Sequence, residues 1–218
     1  MDSEVFDKSK AAWNANSDSL AYPDENLARL MSGKYVDIPK SGKLLDHGFG
    51  TGNNFPLYCG YDIYGCEISK TFIDRCVSVY PGVMFREVTG LELPYESNAF
   101  NIVVSWNVIH YNGNFEDTRF VVNELHRILK PGGVLLLSTM SPGHSFIQRS
   151  TPVGDGSYLI KDENGYDNRT GLTVYCAQCR EIFKMLFYSF AKVQYGSARF
   201  DLMKPTKNSS WDIVYAIK

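Results

Sequence analysis

Three alternate glycines follow an acid in the run Lys43-Leu44-Leu45-Asp46-His47-Gly48-Phe49-Gly50-Thr51-Gly52. The apolar residues before them read as a buried strand and Asn53–Cys59 after them as a helix, so the loop can carry its backbone close to a ligand. A dinucleotide loop reads G-x-G-x-x-G and turns its amides toward a pyrophosphate. Here the spacing is G-x-G-x-G, and Asp46 puts negative charge where a cationic headgroup would sit and a pyrophosphate would be repelled. The next apolar run ends at Tyr64-Gly65-Cys66-Glu67, with Glu67 fifteen residues past Gly52. An acid at that place can accept the hydroxyls of a ribose.

Those residues need a scaffold that brings successive strand ends together. From Lys43 onward, short apolar runs alternate with longer amphipathic ones, the pattern of strand-helix-strand units stacked into a parallel sheet. The spacing predicts strands at Lys43–His47, Asp62–Glu67, Val83–Arg86, Asn101–Trp106 and Gly133–Ser138, with later strands near Ala191–Ala198 and Asp212–Ile217. Helices are expected at Asn53–Cys59, Lys70–Tyr80, Phe115–Leu129 and Ala177–Phe187, and a short one starting at Pro23-Asp24-Glu25 and ending near Met31. Met1–Ser19 reads as a short helix or a loose arm. Residues 141–172, rich in Gly, Ser, Asp, Asn and Tyr, lack periodicity and are expected to form a lid-like insertion.

Composition bounds what such a scaffold would serve. With 218 residues, 44% of them hydrophobic, the chain is expected to form one domain over 1–218, residues 1–40 making an N-terminal cap. A net charge of −2 gives no basic surplus of the kind that holds phosphate backbones, so nucleic acid is disfavoured as a partner. No apolar run is long enough to span a bilayer and no signal-peptide pattern opens the chain, so the expected location is cytoplasmic, without a membrane. Cys176-Ala177-Gln178-Cys179 has the spacing of half a zinc site but no second pair, and no metal is expected.

Further along, Leu93-Pro94-Tyr95 and Phe100-Asn101-Ile102-Val103-Val104-Ser105 precede Leu125-His126-Arg127-Ile128-Leu129-Lys130-Pro131-Gly132-Gly133. Together with the glycine loop and Glu67, these segments resemble the class I S-adenosylmethionine-dependent methyltransferases. The resemblance implies a three-layer α/β sandwich with a mainly parallel seven-stranded sheet and a C-terminal antiparallel hairpin. It implies S-adenosylmethionine as cofactor and S-adenosylhomocysteine as product. Gly48, Gly50 and Gly52, with Asp46 and Asn53, would line the methionine and ribose, Glu67 would hold the ribose hydroxyls, and Ile68 would flank adenine. Thr89-Gly90-Leu91 stands where many relatives carry an acid for the adenine amino group, and Ser105 and Asn107 would complete the cofactor contacts.

Methyl transfer from a sulfonium is an in-line displacement, so the protein chiefly aligns the acceptor, and a base is needed only for an acceptor that carries a proton. After the fourth strand comes Asn107-Val108-Ile109-His110-Tyr111, in which His110 is the expected base, its ordinary pKa lying near neutrality. The aromatic and proline pattern of adenine and cytosine amino methyltransferases is missing there. His110, Tyr111, Tyr22, Tyr158, Tyr166, Arg169 and Tyr175 are the expected acceptor contacts, suited to stacking on a ring or pairing with an anion. The expected activity is methyl transfer to an oxygen or nitrogen of a small molecule such as a sugar or other metabolite. A protein or RNA methyltransferase and a non-catalytic cofactor-binding module are the alternatives. Sequence leaves the oligomeric state open.

Overall fold

The computed structural model describes residues 3–15, 22–161, 169–201 and 209–218. Seven strands form one sheet: β1 (Gly42–His47), β2 (Tyr61–Glu67), β3 (Met84–Glu87), β4 (Phe100–Trp106), β5 (Leu129–Met140), β9 (Lys192–Phe200) and β10 (Ser209–Ile217). Their order is β3-β2-β1-β4-β5-β10-β9. The first five run parallel, and β10 lies antiparallel between β5 and β9, giving the expected terminal hairpin. The strand order reverses between β1 and β4, the place where open parallel sheets leave a crevice beyond their C-terminal ends.

Alternation along the strands makes three layers. Leu44, Ile102, Val104, Val134 and Leu136 point to one face, while Leu45, Val103, Leu135 and Leu137 point to the other. On the first face α3 (Lys70–Val79) buries Phe72 and Cys76, four residues apart and so one above the other. On the second, α4 (Phe115–Ile128) buries Val121, Val122, Leu125 and Ile128. Ser69 and Asn114 begin these helices, each accepting a hydrogen bond from a first-turn amide. The segment Lys130-Pro131-Gly132-Gly133 ends α4 by looping out of the sheet. Pairing jumps from Phe100 opposite Leu129 to Ile102 opposite Val134, with Gly132 at φ +74°. Asn101 Oδ1 holds the edge of that loop, accepting from Lys130 Nζ at 3.0 Å and from the Lys43 amide at 3.1 Å.

Three segments depart from expectation. The stretch Asn53–Cys59 contains only a 3₁₀ turn, Phe55–Tyr58, with Pro56 at its start. The late helix is shorter, α6 (Arg180–Met185). Residues 141–172 are not aperiodic throughout. They contain α5 (Ser145–Arg149), β6 (Thr151–Gly154) and β7 (Ser157–Leu159), and the last two join β8 (Thr173–Tyr175) in a separate antiparallel sheet. That sheet has a small core of its own, built from Met140, Ile147, Ile160, Leu172, Val174 and Cys176. The N-terminal stretch forms α1 (Ser3–Ala15), and α2 (Glu25–Met31) follows the capping carboxylate of Asp24. No helix among the described residues is long and apolar enough to cross a membrane.

Candidate active site

A cavity of about 280 Å³ opens at the C-terminal ends of β1, β2 and β4. Its floor is the glycine loop, and each glycine there has a different reason for being one. Gly48 sits at φ +69°, and a Cβ on it would meet Val108 at 2.5 Å. Gly52, at φ +74°, would press on the Phe55 ring at 2.9 Å, and it does not line the cavity. Gly50, at φ +55°, has nothing within 4 Å of its missing Cβ and does line the cavity, so a side chain there would project into free space. Asn53 and Ile68 also line it, as do Gly90 and Leu91, whereas Thr89 does not.

Glu67 ends β2 at 5% exposure, lining the cavity with a carboxylate already engaged by backbone. Its Oε2 accepts from the Gly50 amide at 2.9 Å, and its Oε1 from the amides of Ile68 and Ser69 at 2.8 and 3.0 Å. Burial raises its pKa, against the three amide hydrogen bonds that lower it. A carboxylate offers roughly four acceptor positions, so three amides leave room for about one ligand hydroxyl rather than two. The same bonds tie the glycine loop to the β2 end, so the acid fixes the shape of the floor as well as lining it.

Asp46 does not stand where the sequence placed it. It is 1% exposed, absent from the cavity wall, and its Oδ2 accepts from the Tyr58 hydroxyl at 2.8 Å. Burial pushes its pKa up to about 7; the Tyr58 bond opposes that rise and the charge of Glu67 adds to it. The alternation of β1 turns His47 to the cavity instead, its Nδ1 2.9 Å from Ser105 Oγ. Burial pulls the His47 pKa down to about 4, so its imidazole is neutral at pH 7. Ser105 is fully buried beneath it and supports the ring without lining the cavity. Asn107, at φ +62°, lines the cavity with its amide bonded to Ser138 Oγ at 2.9 Å.

His110 is also corrected. The 3₁₀ turn Ile109–Asn112 buries Ile109 and His110 and presents Tyr111 and Asn112 to the cavity. His110 is 1% exposed, with Nδ1 3.3 Å from Thr139 Oγ1 and its ring between those of Tyr111 and Trp211. Burial, then the neighbouring charges of His144 and Arg169, hold its pKa well below the ordinary value. It therefore lacks both the access and the near-neutral ionisation expected of it. Asn112 Nδ2 is buried and has no hydrogen-bond partner among the described residues, an unsatisfied donor on a residue that lines the cavity.

Four of the other expected acceptor contacts, Tyr22, Tyr158, Arg169 and Tyr175, lie off the wall. Tyr22 is 68% exposed and offers only its carbonyl, bonded to Asn53 Nδ2 at 3.1 Å. Tyr158 packs on the insertion's own core, Tyr175 is buried against Phe115 with an unpartnered hydroxyl, and Arg169 lies 4.3 Å over the Phe146 ring. Tyr166 lies outside the described residues. What covers the cavity is α1, which contributes Phe6, Ser9 and Trp13. Lys10 holds it to Glu87 at 2.6 Å, Asn14 to Ser69 at 2.8 Å, and Trp13 meets Tyr111 edge-on at 5.0 Å. The charged side chains on the wall are Asp24 and Glu67, and no Lys or Arg is among the described residues that line it.

The parallel sheet with its reversed order, the glycine loop and the acid ending β2 define the architecture of a class I methyltransferase. Residues 45–137 match the family described as a methyltransferase domain, and the fold is the one found in S-adenosylmethionine-dependent methyltransferases of that class. A demethylmenaquinone methyltransferase of Chlorobaculum parvum is 26% identical over 73% of this chain and 66% of its own length. A tRNA (carboxymethyluridine(34)-5-O)-methyltransferase of Arabidopsis thaliana is 28% identical over 46% of this chain and 24% of its own. The chain thus spans less than two thirds of either relative. A SAM-dependent methyltransferase of Methanosarcina mazei has the same fold, with a TM-score of 0.66, 17% identity, and coverage of 83% of this chain and 94% of that one.

The wall fits that cofactor. Two carboxylates, with no Lys or Arg among the described lining residues, suit a ligand bearing sulfonium and ammonium groups, and Gly50 and Gly90 leave the space that ligand needs.

Proposed function

We propose that this chain transfers the methyl group of S-adenosylmethionine to an oxygen or nitrogen of a small metabolite. The observation that carries the reading is the cavity wall, which joins the cofactor cradle to Trp13, Tyr111 and Asn112 with no Lys or Arg among its described residues. When bound, the cofactor supplies an electrophilic methyl group. The chain's own residues then hold the acceptor in line: Trp13 and Tyr111 offer ring surfaces, and Asn112 Nδ2 offers a donor that an acceptor oxygen would satisfy. In this reading His110 supports Tyr111 from behind rather than taking the acceptor's proton.

An RNA acceptor is the second reading, favoured by the likeness to a tRNA methyltransferase. The acidic wall speaks against a phosphate-bearing acceptor inside the cavity. The test is incubation with methyl-labelled S-adenosylmethionine, in parallel, with a mixture of sugars, amines and quinones and with bulk tRNA. Label recovered by mass spectrometry on a sugar or amine is the expected result. Label confined to RNA would overturn the small-molecule reading, and label on a carbon of a quinone would overturn the acceptor atom.

A further inference from the structure

Besides Glu67, two acids sit near the glycine loop, and they are not equivalent. Asp46 is sealed off, its carboxylate bonded to Tyr58 and absent from the cavity wall. Asp24 comes from far earlier in the chain, yet it lines the same cavity as Gly48, Gly50 and Asn53. Its segment is stitched to the residues just past the glycines: its amide donates to Asn54 Oδ1 at 3.0 Å, and Asn53 Nδ2 donates to the Tyr22 carbonyl at 3.1 Å. Asp24 Oδ1 accepts from the amides of Asn26 and Leu27 at 2.9 and 3.1 Å, which fixes the carboxylate's place at the head of α2. Among the described residues, Oδ2 accepts no hydrogen bond.

We infer that Asp24 receives the ammonium group of the cofactor's amino-acid end, and that Asp46 shapes the loop from behind. The inference rests on the cofactor reading of the cavity. Of the two charged groups on the wall, Glu67 has three of its acceptor positions filled by amides on the β2 side. Asp24 is the carboxylate with an oxygen to spare, and it stands beside the loop that follows β1. An ammonium placed there exchanges water for a charge-assisted hydrogen bond, while the same group near Asp46 would find its oxygen behind the wall.

The test is calorimetry on the full chain with two ligands, S-adenosylhomocysteine and its analogue in which hydrogen replaces the amino group. Asp24→Asn removes the charge and keeps a side-chain oxygen for the α2 cap, where asparagine serves as well as aspartate. It should weaken S-adenosylhomocysteine by about tenfold or more, the scale of a lost hydrogen bond to a charged group, and leave the deaminated analogue within about twofold. Asp24→Ser, another good cap, should repeat that pattern, and Asp46→Asn should not. An equal loss on both ligands, or no loss on either, would overturn the inference, as would an ammonium-specific loss in Asp46→Asn. Wild-type protein that binds neither ligand would instead overturn the cofactor reading beneath it.

Discussion

Asp46, buried against the Tyr58 hydroxyl, and His47, turned the other way along β1 toward the cavity, are two buried titrating groups at the end of that strand. Asp46 is pushed from 3.8 up to about 7, so between those values the folded chain holds a proton that the unfolded chain has released, and stability falls as pH rises. His47, pulled from 6.5 down to about 4, does the reverse: the folded chain holds fewer protons over that range and gains stability as pH rises. The two slopes oppose one another in the wild type. Asp46→Asn keeps an oxygen for Tyr58 and removes only one of them, so its stability relative to wild type should grow from pH 4 to pH 7. At about 1.4 kcal/mol per unit, the gain is on the order of a few kcal/mol. Urea unfolding at both pH values measures it, and an identical gap at the two would mean that Asp46 is ionised throughout. At this scale the placing of Gly48, Gly50 and Glu67 beside the cavity could be read from spacing, because they follow directly from a strand end. Asp24 could not, because a loop closure carries it to the cavity. Nor could the exchange of His110 for Tyr111, which depends on a one-residue phase set by a 3₁₀ turn.

Elements were legible in proportion to the strength of their periodicity. The central strands β1, β4 and β5 are apolar runs buried on both faces, and α3 and α4 carry amphipathic stripes, so their positions follow from side-chain pattern. The sheet of β6, β7 and β8 escaped because its strands are three or four residues long and include proline and glycine. The glycine loop couples element to site, and two of its positions separate folding from binding. Gly48→Ala must place a methyl 2.5 Å from Val108 in a left-handed conformation, so it should lose stability by well over the ~1 kcal/mol that the backbone alone costs. Gly50→Ala meets nothing within 4 Å, so it should lose only about that backbone cost while filling the cavity and weakening S-adenosylhomocysteine. Unfolding curves and calorimetry on the pair check this. Equal stability losses would show that Val108 yields freely, and unchanged affinity in Gly50→Ala would remove the loop from the binding surface.

At the scale of the whole molecule, the cavity is where separate parts of the chain meet: the β1 and β2 ends, the turn after β4, the α2 cap and the overlying α1. A ligand seated there contacts all of them only in the folded state, so binding should stabilise the fold as a unit rather than one element. For a ligand at a hundred times its Kd the linkage is worth about 2.7 kcal/mol. A chain of this size shifts its melting temperature by roughly 2–4 °C per kcal/mol, so S-adenosylhomocysteine at that excess should raise it by about 5–10 °C. NAD, whose pyrophosphate would face Asp24 and Glu67 with no Lys or Arg among the described lining residues, should leave it unmoved. Because α1 is tied to the rest by the Lys10–Glu87 and Asn14–Ser69 contacts and covers the cavity, amide exchange in Ser3–Ala15 should slow together with that in the glycine loop. A rise in melting temperature with protection confined to the loop would mean that α1 stands apart from the bound state. An equal rise with NAD would contradict the charge argument on which the choice of cofactor depends.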